Sequence, residues 1–110
     1  MAEGSQAVFR FRAQAVPLLP GVRELCAQGV VPGGSRANLD WVRPHVRFAQ
    51  GVDPAWQQVL ADAQTNGGLL AAVDAERTPM VLALLREVGV QAAHVGEVAP
   101  APERPGLEVA

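Results

Sequence analysis

Neither lysine nor tyrosine occurs anywhere in the 110 residues, and there is a single cysteine. All nine basic residues are arginines: Arg10, Arg12, Arg23, Arg36, Arg43, Arg47, Arg77, Arg86 and Arg104. Without lysine there is no Schiff-base amine, no P-loop lysine and no ammonium to aim at a phosphate. Cys26 alone closes no internal disulfide, and with only His45 and His94, far apart, it does not make a zinc-binding spacing. No metal site is expected, and a reducing compartment is. No apolar run approaches the roughly 20 residues of a membrane span. The opening MAEGSQ has no basic region followed by an apolar one, so a cytoplasmic location is expected. A net charge of -2 and a pI near 5.6 supply no basic field, which argues against nucleic acid or a membrane surface as partner.

What is present suits one core. Hydrophobic residues make up 49% of a chain whose length matches a single domain of about 100–150 residues. Residues 7–16 alternate, with Phe9, Phe11 and Ala13 on one face and Arg10, Arg12 and Gln14 on the other, which predicts a half-buried strand. PLLPG breaks it, and Val22 to Gln28 predicts a short helix stopped by Gly29. GVVPGGSRAN, residues 29–38, is expected to be a loop, followed by a helical-looking LDWV that Pro44 ends or bends. Residues 45–52 carry no clear pattern. Asp53 before Pro54 predicts a capped helix start, with Trp56, Val59 and Leu60 on one face and an end near Asp62.

GLLAAV, residues 68–73, is a continuous apolar run and predicts a strand covered on both faces. Thr78 and Pro79 repeat the cap-and-proline signal, with Val81, Leu82, Leu84, Leu85 and Val88 as the expected buried stripe and Gly89 as the stop. Ala92–Val98 and Leu107–Ala110 supply two more strands across the proline-rich segment 99–106. The expected fold class is α/β (α+β): a two-layer sandwich of an about four-stranded mixed sheet with helices packed on it. Residues 1–6 are expected to lie outside a single domain formed by residues 7–110.

The polar, flexible DAQTNGG, residues 62–68, is the chief candidate for chemistry. Two glycines let successive N–H groups converge on one point and Thr65 adds a hydroxyl. Thr65, Asn66, Gly67 and Gly68 are therefore candidate phosphate contacts that need no lysine. The plainer alternative is a turn whose glycines let the strand 68–73 pack closely. Gly33, Gly34 and Ser35, with Asn38, form a second polar loop that either lines the same cleft or is an ordinary connection. Asp62 is either part of a metal shell or a helix-end cap. Cys26 reads as a small buried hydrophobe, His45 and His94 take no catalytic role, and Arg10 and Arg12 read as a solvated strand face. No catalytic residue is assigned.

PLLPG, GVVPGGSRAN, ADAQTNGGLLAAV, REVGV and AAHVGEV, in this order and spacing, resemble the C-terminal domain of selenophosphate synthetase, or selenide, water dikinase. The resemblance covers about residues 7–110. It implies the fold of the aminoimidazole ribonucleotide synthetase superfamily, and an activity that converts ATP, selenide and water to selenophosphate, AMP and phosphate with magnesium. It implies a homodimer as well. The family's catalytic Cys or selenocysteine, its lysine and its metal-binding aspartates precede the segment resembled, so ATP and magnesium are expected to be held mainly by an absent N-terminal ATP-binding domain, met in cis or in trans. Alone, this chain is then expected to be inactive. Asn66 stands where the family most often has Ser, and Ser35 where it often has Thr. MAEGSQ reads as an added or new start. The competing reading is a stand-alone, non-catalytic binding or regulatory module of the same fold.

Overall fold

The computed structural model describes residues 1–64, 67–101 and 103–110. Its organising element is β1 (Ala7–Phe11), which pairs on one side with β3 (Gly96–Pro100) antiparallel and on the other with β4 (Gly106–Val109) parallel. β2 (Val46–Phe48) completes the sheet parallel to β4, giving the order β2-β4-β1-β3. The expected four-stranded mixed sheet is therefore present. Four α-helices accompany it: α1 (Val22–Ala27), α2 (Gly33–Val42), α3 (Pro54–Leu60) and α4 (Thr78–Glu87).

Period-two alternation decides which face is covered. Phe9 and Phe11 share a face with Leu107; Phe11 also joins Val109, Val46, Phe48 and, from α3, Trp56 and Leu60 around the buried Ala13 and Val52. Phe11 thus links two small clusters into one apolar layer. On the opposite face Glu97, Arg10, Glu108 and Arg47 stand in register across all four strands, a row of alternating charge. Arg10 Nε donates to Glu108 Oε2 at 2.8 Å and Arg47 Nη2 donates to Glu108 Oε1 at 2.9 Å. Opposite charges on neighbouring strands favour this register over a slipped one. Arg12 Nη2 donates to the His94 carbonyl at 2.7 Å, so Arg10 and Arg12 keep solvent access but are not merely solvated.

Asp53 does what its place before Pro54 predicts. Its Oδ1 accepts from Trp56 N at 3.0 Å, capping α3, and its Oδ2 accepts from Arg23 Nη2 of α1 at 2.7 Å. One carboxylate therefore starts a helix and holds a second helix against it.

Several expectations are corrected. The segment 29–38 is not all loop: α2 begins at Gly33, with Pro32 at the N-cap position and Leu39 buried. Glycines lower helix propensity, but two of them in a first turn cost little once the following turns pack. Residues 45–52 hold a strand, β2, too short for its alternation to register in sequence. GLLAAV is not a strand. Its residues are exposed, Leu69 fully so. An apolar run becomes a covered strand only where another strand pairs with it, and in the order β2-β4-β1-β3 no strand pairs with this run. The predicted strand at 7–16 stops at Phe11, and the one at 92–98 is displaced to 96–100. In α4, Val81, Leu82 and Leu85 are half-buried while Leu84 and Val88 are exposed; Gly89 stops the helix at φ 79°. No helix among the described residues is long and apolar enough to cross a membrane.

Two predictions follow from these contacts. A Cβ at position 96 would lie 2.0 Å from the Arg10 carbonyl oxygen and 3.1 Å from Phe11 Cα, both backbone atoms of β1. Gly96→Ala is expected to cost about 1–3 kcal/mol in urea denaturation and to speed amide exchange in β3; a variant as stable as the parent would contradict this pairing. Hydrogen bonds from Arg23 and the Trp56 amide hold the Asp53 carboxyl below its ordinary value, and those from Arg10 and Arg47 do the same for Glu108. Depressed folded values mean that the stabilisation is present above the unfolded carboxylate range, about pH 4, and is lost as pH falls through the lower folded values. The urea midpoint should hold steady from pH 7 to 5 and fall below about pH 4, with a shallower fall in Glu108→Gln. An unchanged acid limb in that variant would remove Glu108 from the account.

Candidate functional site

Helix α2 starts where GVVPGG leaves the chain without side chains. Pro32 provides no capping side chain, and Gly33 and Gly34 occupy the first turn. Ser35 follows and is 4% exposed, the one buried polar residue of the described chain. Its hydroxyl donates to Asp62 Oδ1, and its carbonyl accepts from Gln58 Nε2 of α3 at 2.7 Å. The other Asp62 oxygen accepts from Gln64 Nε2. Two polar segments 27 residues apart, singled out separately in sequence, are thus joined through one serine and one aspartate.

Gly67 N donates to the Gln64 carbonyl at 3.3 Å. Thr65 and Asn66 lie outside the described residues. Gly67 and Gly68 are exposed, as are Gly33 and Gly34. None of these four glycines has a positive φ. A Cβ would meet nothing within 4 Å at Gly33, Gly34 or Gly68, and only ordinary contacts with Gln64 at Gly67. The turn alternative asked the glycines to let a strand 68–73 pack closely, and that strand does not form. Neither crowding nor a left-handed backbone accounts for the glycines; what they provide is backbone without side-chain cover.

Asp62 was open between a metal shell and a cap, and its two oxygens are spent on Ser35 and Gln64. Among the described residues no group of three or more His, Cys, Asp or Glu is placed to hold a metal ion. Cys26 is half-buried with Sγ 3.5 Å from the Ala55 carbonyl, in the contact between α1 and α3. His45 ends a single 3-10 turn, 3.8 Å from Glu3 and beside Trp41, while His94 contributes only its carbonyl, to Arg12. Two shallow grooves lie away from the junction, one lined by Leu82, Arg86 and Val90, the other by Arg23, Asp53 and Ala55. Sequence reading missed Gln58 and Gln64, and it missed that Ser35 and Asp62 meet. No local pattern carries a contact between residues so far apart in the chain.

No family model matches the chain. It is 47% identical over 96 residues to the selenide, water dikinase of Myxococcus xanthus, which covers 87% of this chain and 27% of that protein. It is 44% identical over 98 residues to the selenide, water dikinase of Nitratidesulfovibrio vulgaris, with coverages of 89% and 28%. With that of Burkholderia cenocepacia it shares 39% over 105 residues, 94% of this chain and 30% of the other. The chain therefore spans less than a third of the length of these relatives. Its motif segments, its four-stranded mixed sheet and these matches together make it a member of the selenide, water dikinase family, corresponding to the C-terminal portion of those enzymes.

Proposed function

We propose that this chain serves as the C-terminal part of a selenide, water dikinase, and that loop 62–68 with the first turn of α2 completes the phosphate side of an ATP-binding cleft carried by another part of the enzyme. The observation that supports this reading best is the junction of the two motif segments through Ser35 and Asp62, segments whose four glycines, Gly33, Gly34, Gly67 and Gly68, are each exposed. Exposed backbone N–H groups suit the oxygens of a phosphate and need no lysine. In the family reaction ATP, selenide and water give selenophosphate, AMP and phosphate.

The residues present fit part of that chemistry. The backbone donor of Gly68 and the Thr65 hydroxyl are the groups we assign to phosphate, the Gly67 N–H being engaged by the Gln64 carbonyl. For magnesium the fit fails: the described residues offer no carboxylate cluster, and Asp62 is already engaged. Nucleophile, lysine and metal ligands are assigned to the remainder of the enzyme, because this segment has no lysine at all. Leu69, Leu70, Met80, Leu84 and Val88 are each exposed, and large apolar side chains left uncovered support contact with a further domain.

Mixing the chain with the N-terminal portion of the Myxococcus xanthus relative tests this. Selenide-dependent AMP formation is expected only in the mixture, and Gly68→Val should lower it by about tenfold while leaving the melting curve of the chain unchanged. If both pieces fold, associate and produce no AMP, the dikinase reading fails and a stand-alone binding module takes its place.

A further inference from the structure

Asp62 begins the segment that carries the proposed phosphate contacts, and a carboxylate there invites a role as magnesium ligand. Its surroundings point elsewhere. Oδ1 accepts the Ser35 hydroxyl and Oδ2 accepts the Gln64 amide, so each oxygen already has a protein donor. Ser35 is itself fixed: its amide donates to the Pro32 carbonyl at 3.1 Å, its carbonyl is held by Gln58 of α3, and it is buried. The chain of hydrogen bonds from α3 to Ser35 to Asp62 runs without a break from the helical layer to Gln64, whose carbonyl accepts from Gly67 N.

We infer that Asp62 and Ser35 form a latch that sets the position of loop 62–68, making Asp62 a positioning residue and not a metal ligand. A hydroxyl at position 35 is the requirement, and threonine meets it as well as serine does. Hydroxyl-to-carboxylate bonds are charge-assisted and among the stronger hydrogen bonds, and this one is partly shielded from water. The inference rests on the proposed function only for its consequence in catalysis; the latch itself is a property of this chain.

The test therefore begins on the chain alone. In the isotopically labelled protein, Ser35→Ala and Asp62→Ala should each lower the backbone order parameters of Ala63, Gln64, Gly67 and Gly68, while Ser35→Thr and the α-helical signals of α3 stay at parent values. Magnesium chloride added to the parent should produce no saturable shift of the Asp62 and Gln64 resonances. In the mixture with the N-terminal portion of the relative, Ser35→Ala and Asp62→Asn should lower AMP formation by similar factors, about 10-fold, with the half-saturating magnesium concentration unchanged; Ser35→Thr should restore the rate. A saturable magnesium shift centred on Asp62, or an unloosened loop in Ser35→Ala, would overturn the latch. Loosening on schedule without AMP formation from any mixture would keep the latch and discard the dikinase reading.

Discussion

Everything in this fold depends on β1 having both of its edges filled from the far end of the chain. β3 and β4 are roughly 90 residues away in sequence, and their pairing with β1 closes the domain. Closing so long a loop is entropically unfavourable, and the return comes from two sources on opposite sides of the sheet. On one side Phe9, Phe11, Leu107 and Val109 bury against each other and α3. On the other the charge row fixes which residue faces which. Gly96 is the point at which β3 comes too near Arg10 to carry a side chain, so the tightness of this pairing is written into the GEV that opens β3.

With the sheet closed, the functional junction is a consequence of helix packing. Arg23 and Asp53 tie α1 to the start of α3, and Gln58 ties α3 to the start of α2. The first turn of α2 is thereby held beside the end of the α3 segment, where Ser35 reaches Asp62. In the function we propose, this segment meets phosphate without a lysine, since it has none. The backbone of Gly68, in the segment that begins at the Asp62 held by the buried Ser35, is assigned to that contact in the same proposal.

Much of this was legible in the sequence because the signals were local. The alternation of AVFRF, the Asp-Pro start of α3, the Thr-Pro start of α4 and its glycine stop each depend on a few adjacent residues, and each forms about where it was expected. The failures were of two kinds. GLLAAV has the composition of a covered strand, yet strand formation is decided by whether another strand pairs with the run, a property of the whole sheet. Val46–Phe48 is a strand of three residues, where two apolar side chains around one arginine carry too little pattern to be seen. The first turn of α2 was hidden by its glycines, which favour a loop locally and are overridden by the burial of Leu39. At the site, the residue types were visible in Gly33, Gly34, Ser35 and in Asp62 to Gly68; their meeting was not, because it follows from how α2 and α3 cross.

The central claim is that the backbone N–H of Gly68, next to the Gly67 N–H held by Gln64, meets phosphate once the rest of the enzyme is present. Amide resonances of the labelled chain, recorded in complex with the N-terminal portion of a relative and titrated with ATP, report on it directly. Saturable shifts at Gly67 and Gly68, absent when ATP is added to the chain alone, are the predicted result. Saturation of the partner with ATP while both glycine amides stay unmoved would contradict the account.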